Sequence, residues 1–368
     1  MQIDKRNAGL DVLRAAAILG VVLSHNMTVN FLGRDIMLWL GVGVDLFFVL
    51  SGFLIGRIYF RSIQGGSFSF WEFWRSRWWR TLPPYFAAVV VYLVARKVAP
   101  YPGLAWYYIF FLQNYLGITA GPGSGGFAPS WSLCVEEHFY LLLPLLVLVV
   151  ALLFGRRRLR YVLPIAILAP MVLRAITLAL IRPLPLQWNW FSHLHCEGLI
   201  TGVYLAYLFV EDRAGFDRVK ILAKWLLPVA PITLIVVTFW DLNLMFARIF
   251  LFTIFAVGFG AWVRYLYDLK WDPVSMPGRL AKASAHGIAL CSYSVYLTHT
   301  TVDPIIRTHL VQSLHRGVVK SFIVLWCTFL LGIIFYFVVE RPTIISRNRY
   351  LKGKRRPFVD ARPAVEVS

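Results

Sequence analysis

Apolar runs about the thickness of a bilayer recur along almost the whole chain. A helix crosses the hydrocarbon core in about 20 residues. Ten stretches are long enough: 9–31, 36–60, 82–99, 132–154, 159–181, 191–210, 222–240, 243–266, 286–306 and 318–339. An eleventh run, 104–116, is too short for a full crossing and is expected to form a partial or re-entrant helix. Charged residues make up only 15% of the chain, against about 25% in soluble domains, so lipid must solvate much of the surface. The expected fold class is therefore an all-α polytopic membrane protein of about ten transmembrane helices.

The net charge of +19 does not point to nucleic acid. The basic residues lie between apolar runs and at the end of the chain, as the positive-inside rule requires of cytoplasmic segments. Clusters at 57–80, 156–160, 213–224, 270–282 and 347–356 place both termini in the cytoplasm if 104–116 does not cross. Lys5 and Arg6 precede the first run and no small-residue cleavage site follows, so that run is expected to be the targeting signal. Residues 1–345 form one membrane domain and 346–368 a basic cytoplasmic tail. The four cysteines are scattered and suit buried small residues better than disulfides. The glycine-rich stretch 121–126 contains G-x-G-x-x-G, but no strand precedes it and it is a loop rather than a nucleotide fingerprint.

Ionisable side chains inside apolar runs cost several kcal/mol and ask for a reason. Arg14 and His25 are eleven residues apart, which puts both on one helix face, roughly 16 Å apart along the axis. Asp45 lies within the second run and needs a cationic partner, for which His25 or Arg14 would serve. Arg75, Arg77 and Arg80 sit at the cytoplasmic mouth of the third run, where guanidinium groups suit phosphates. Glu136 and Glu137 open the fifth helix after Trp131 and Ser132. Adjacent helical residues point about 100° apart, so one acid is expected to reach a site and the other a neighbouring helix. His193, His195 and Glu197 cluster near the outer end of a later run, more an interfacial polar group than a metal set. Tyr296 and His299 share a face of the ninth run. Buried His, Asp, Glu and Arg also suit a proton-coupled transporter of a polar solute or glycan, although no internal repeat is visible.

Taken in order, these motifs resemble the acyltransferase-3 family, membrane-bound O-acyltransferases that modify bacterial polysaccharides, lipopolysaccharide, peptidoglycan and some small molecules. The resemblance covers nearly the whole chain. It rests on Arg14 and His25, Gly43 through Phe53, Arg77, Arg80, Pro83 and Tyr85. Further along it rests on Trp131 to Leu133 with Glu136, Glu137, Phe139 and Tyr140, on Ser292 to His299, and on Glu340 with Pro342. Two departures stand out: Ser76 replaces an Arg that many members carry, and His195 and Glu197 stand where an Arg and an Asp are common.

The resemblance implies an acyltransferase of the cell inner membrane, acting between acyl-CoA, by default acetyl-CoA, on the cytosolic side and a carbohydrate acceptor outside. It implies that Arg14, Arg75, Arg77 and Arg80 hold the donor. His25 would be the general base. Asp45 or Glu137 would orient His25, and Tyr296 or His299 would steady the oxyanion. Trp131, Ser132, His193, His195 and Glu197 would lie on the acceptor side. An acyl-enzyme on His25 is a second route. No metal or other cofactor is required.

Overall fold

The computed structural model describes residues 7–96, 105–115, 127, 129–181, 188–240, 244–309 and 318–353. The glycine-rich stretch 121–126 and the end of the basic tail lie outside the described residues. Helices dominate. They are α1 (Ala8–Asn26), α2 (Gly43–Gln64), α3 (Phe70–Arg96), α4 (Ala105–Ile109), α5 (Ser130–Phe154), α6 (Leu159–Ala166) and α7 (Ala169–Leu180). These are followed by α8 (Glu197–Glu211), α9 (Arg213–Leu226), α10 (Val229–Phe239), α11 (Leu244–Leu266), α12 (Met276–His309), α13 (Val318–Phe335) and α14 (Arg341–Gly353). One small ribbon interrupts the helical pattern: β1 (Asn30–Phe31) pairs antiparallel with β2 (Arg34–Asp35), and Gly33 supplies a left-handed turn with φ of +76°. That ribbon is why α1 stops at Asn26 rather than running to 31.

Among the described residues, six helical segments are long and apolar enough to cross a membrane, and α6 and α7, bent by 43°, make a seventh when joined. Each of the ten apolar runs overlaps a helix, but α3 and α12 do not reach that standard of hydropathy despite lengths of 27 and 34 residues. Both carry the polar side chains of the site described below. The run 104–116 yields only the five-residue α4 and a 3-10 turn at Gln113–Tyr115. The boundary expected at 345 falls inside α14.

The exterior confirms lipid as the solvent. On α5, Leu146, Val149, Leu152, Leu153 and Phe154 are each at least half exposed, a stripe of apolar surface that water would not tolerate. This is a multi-pass membrane protein.

The core forms where α2 meets α8, flanked by α1 and α11. Both central helices carry a glycine pair at four-residue spacing, Gly52 with Gly56 and Gly198 with Gly202. A Cβ on Gly52 would lie 2.1 Å from the carbonyl oxygen of Leu199, and one on Gly202 would lie 2.2 Å from that of Val49. The backbones touch because there is no side chain between them, the usual way membrane helices gain packing contact without a hydrophobic driving force. Phe48, Val49, Phe53, Leu199, Val203 and Phe255 fill the space around this seam and are fully buried.

Near the end of α13 the helix widens into a π-turn at Tyr336–Glu340. Pro342 has no N–H to return to the carbonyl four residues earlier, and its ring crowds that carbonyl, which accounts for the irregular turn just before it. The turn delivers Glu340, 2% exposed, into the interior.

Candidate active site

A column of polar side chains runs between α1, α3, α5 and α12. At one end Arg14, Arg80 and Arg77 gather with the acids Glu340 and Glu136. Glu340 accepts a 2.5 Å hydrogen bond from the Ser294 hydroxyl and lies within electrostatic reach of Arg80 and Arg14. Arg77 lies near Glu136, Arg80 and Arg347, with its guanidinium 5.7 Å from the centre of the Tyr140 ring. Arg347, assigned to the tail on sequence grounds, joins the group because α14 folds back along α3.

The middle of the column is built from hydroxyls. Tyr140 donates to Glu136 at 3.0 Å, and its hydroxyl is also in contact with that of Ser51 on α2. Tyr293 donates to the backbone carbonyl of Thr81, and Glu137 lies beside Thr81 and Arg77. One carboxylate oxygen of Glu137 is buried with no hydrogen-bond partner among the described residues. Higher up, the hydroxyls of Tyr296 and Ser132 meet at 2.5 Å, bridging α12 to α5. The ring of Tyr296 lies 5.5 Å from that of His299, and His299 lies 4.9 Å from His25 with the imidazoles edge to face.

The two imidazoles are held alike. Nδ1 of His25 is 2.8 Å from the carbonyl oxygen of Val21, and Nδ1 of His299 is 2.6 Å from that of Tyr296. A carbonyl only accepts, so each Nδ1 carries the proton and each Nε2 presents a lone pair. His25 is exposed in the last turn of α1; His299 is 2% exposed, and its Nε2 has no partner among the described residues.

Several sequence expectations need correction here. His25 sits at the end of α1 rather than within a helix spanning the whole run 9–31, because the chain leaves the helix at Met27. Neither Asp45 nor Glu137 hydrogen-bonds to it; the carbonyl of its own preceding turn fixes its tautomer. Asp45 pairs instead with His195, Oδ1 to Nε2 at 2.9 Å, while Nδ1 of His195 contacts the carbonyl of Asn189 at 3.1 Å. His193, His195 and Glu197 do not form one cluster. Glu197 turns to Arg174 of α7 at 2.7 Å, both side chains almost wholly buried, and His193 is exposed against Tyr115. Among the described residues no group of three or more His, Cys, Asp or Glu could hold a metal ion. Arg75 is drawn away from Arg77 and Arg80: it donates to the Tyr350 hydroxyl at 2.7 Å and lies over its ring. All four cysteines are free.

The sequence reading missed Arg174, which binds the backbone carbonyls of Ile249 and Leu194 and the hydroxyl of Thr253. A lone Arg deep within the apolar run 159–181 was the available signal. Trp190 was also missed; it stacks on Trp131 at 5.4 Å, and Trp131 in turn lies 5.2 Å from His195. These rings roof the same end of the molecule as the Asp45–His195 pair.

A family described as an acyltransferase domain, acyltransferase-3, matches residues 7–340, which takes in both ends of the column. The chain belongs to the acyltransferase-3 family. Among curated proteins, this acyltransferase-3 member is 30% identical over 185 residues to a putative peptidoglycan O-acetyltransferase, YrhL, of Bacillus subtilis, covering 46% of the chain and 28% of the relative. It is 32% identical over 156 residues to the O-acetyltransferase OatA of Staphylococcus aureus, covering 38% of the chain and 24% of that protein. The peptidoglycan O-acetyltransferase OatA of Listeria monocytogenes is 31% identical over 160 residues, with 38% and 24% covered. The matched part thus spans about a quarter of the length of these relatives. No solved structure matches.

Proposed function

We propose that the protein is a membrane O-acetyltransferase that moves an acetyl group from cytosolic acetyl-CoA to a hydroxyl of an extracytoplasmic carbohydrate. The single observation that carries this reading is the polar column. It joins an arginine cluster suited to CoA phosphates with His25, an exposed imidazole whose Nε2 is free to accept a proton. Acyl-CoA is too polar to cross lipid, so a transferase serving an external acceptor needs a path of this kind. The enzyme works in the cell inner membrane, with both termini in the cytoplasm. The relatives' descriptions as O-acetyltransferases, two of them of peptidoglycan, support acetyl as the group and a glycan as the acceptor.

In this mechanism Arg14, Arg77 and Arg80 hold the donor phosphates and the thioester reaches up past Tyr293 and Tyr296. His25 takes the proton of the acceptor hydroxyl through Nε2. The paired Tyr296 and Ser132 hydroxyls supply a donor for the oxyanion. His299 does not fill that role, since its Nε2 carries no hydrogen. Trp131 and Trp190 offer aromatic faces on the acceptor side.

The test is mass spectrometry of envelope glycans from cells lacking the protein, complemented with wild type or with His25→Ala. Wild type should restore an alkali-labile acetyl mass, and the variant, at equal level in the membrane, should not. Identical spectra from all three strains would sink the glycan reading.

A further inference from the structure

Resting on that reading, we propose that transfer proceeds in two steps through an acetyl group carried on Nε2 of His299, with His25 acting only as the base for the second step. The two rings lie 4.9 Å apart, edge to face, and each has Nδ1 against a backbone carbonyl, which leaves Nε2 as the unprotonated nitrogen of each. Their surroundings differ. His25 is exposed, whereas His299 is 2% exposed and its Nε2 has no partner among the described residues.

A buried polar atom without a partner costs free energy and asks for an explanation, which carrying the acetyl group supplies here. Acetyl-imidazole hydrolyses readily in water, which makes the exposed ring a poor carrier and the buried ring a good one. The nearby alternatives are engaged. The Tyr296 and Ser132 hydroxyls bond to each other at 2.5 Å, and Cys134, fully buried, lies in the apolar core behind them.

In the first step Nε2 of His299 attacks the thioester carbonyl carbon. The C–S bond breaks and CoA leaves as the thiolate, taking the electron pair. Nδ1 keeps its proton, donating it in a hydrogen bond to the Tyr296 carbonyl, which leaves an acetyl-imidazolium. In the second step the acceptor oxygen bonds to the acetyl carbon, its proton passes to Nε2 of His25, and the C–N bond breaks, returning the pair to His299. Exposed His25 then loses that proton to water, which balances the proton taken up by the CoA thiolate.

The test uses the full chain in lipid nanodiscs with radiolabelled acetyl-CoA, rapid quenching and intact-protein mass spectrometry with fragmentation. Without acceptor, wild type should release one CoA thiol per chain in a burst and hold one acetyl group on His299. Adding a soluble peptidoglycan fragment should discharge it. His25→Ala should load normally but discharge about a hundredfold or more slowly, the range a general base supplies. His299→Gln should bind a thioether analogue of acetyl-CoA as wild type does, showing a folded donor site, yet hold no acetyl group. Acetyl found on another side chain, or no protein-bound acetyl while wild type turns over, overturns the two-step route and leaves direct transfer standing. No thiol release from acetyl-CoA by wild type in any condition overturns the donor reading itself.

Discussion

Asp45 and His195 lie 150 positions apart in the chain and meet at 2.9 Å, the carboxylate of α2 against the imidazole that precedes α8. Phe48, Trp131 and Phe252 surround the ring, so the pair is shielded from water. Removing one partner of such a pair strands the other. Asp45→Ala should cost about 3–5 kcal/mol, and His195→Ala a similar amount. The double variant should lose less than the sum, with a coupling of about 1–3 kcal/mol in a double-mutant cycle of thermal stability in detergent. Additive losses would mean that the contact is not an energetic one.

The Arg174–Glu197 pair makes a sharper case. Arg174→Met leaves a buried carboxylate without its cation and should cost about 3–5 kcal/mol. Replacing both residues with apolar side chains of similar size should recover most of that stability, since the desolvation of both charges disappears together. The same thermal measurement checks it, and a double variant no better than the single one would count against the pair as a purely structural lock.

The glycine seam can be probed with an internal control. Gly202→Val places atoms within 2.2 Å of the Val49 carbonyl and should cost at least about 1–3 kcal/mol, the usual penalty of overpacking. Gly287 in α12 has nothing within 4 Å of its Cβ position, and Gly287→Ala should be neutral or stabilising by roughly 0.5–1 kcal/mol. Equal losses at both positions would argue that helix propensity, not close approach, governs the seam.

The proposed donor site separates the arginines. Arg80→Ala should raise KM for acetyl-CoA about tenfold or more, the worth of one charge-assisted hydrogen bond of roughly 1.5–3 kcal/mol. Arg75→Ala should change KM little, because Arg75 is committed to Tyr350. A larger effect at Arg75 than at Arg80 in steady-state kinetics would relocate the donor phosphates.

Asp268 follows α11, just outside the span. Partial burial pushes its carboxyl up, but hydrogen bonds from Lys220 and Arg264 outweigh that and hold it below the usual carboxylate range. A folded-state value below the unfolded one means that the ionised group stabilises the protein above about pH 3.9, the unfolded value. That contribution is lost as pH falls through the folded value. The fall in melting temperature below about pH 4 should therefore be shallower in Asp268→Asn. A slope unchanged from wild type would mean that the Asp268 contacts do not bear on stability.

The helical framework and the order of the motifs were legible because bilayer thickness imposes a length on every apolar run. The Arg14–His25 pair was legible for a similar reason, since both residues ride one helix and geometry fixes their relation. Partnerships were not. Asp45 finds His195, and Glu197 finds Arg174, through tertiary packing that no local pattern encodes. Arg75 and Arg77, two residues apart, point to different neighbours because α14 returns along α3 and captures one of them. The π-turn that places Glu340 was invisible for a subtler reason: the proline after it signals only that something must give, not that the helix widens.

Helix α1 runs without a break from Ala8 to Asn26, so the separation of Arg14 and His25 is set by the peptide chain itself and not by how neighbouring helices settle. The helix acts as a ruler between the two ends of the column. Bundle-loosening substitutions can change how often the site is assembled, but they cannot alter this length. A single alanine inserted between the two residues would lengthen the ruler by only about 1.5 Å, yet it would swing His25 by about 100° relative to Arg14. The geometry of the proposed site is thus far more sensitive to the count of residues in this segment than to their identity.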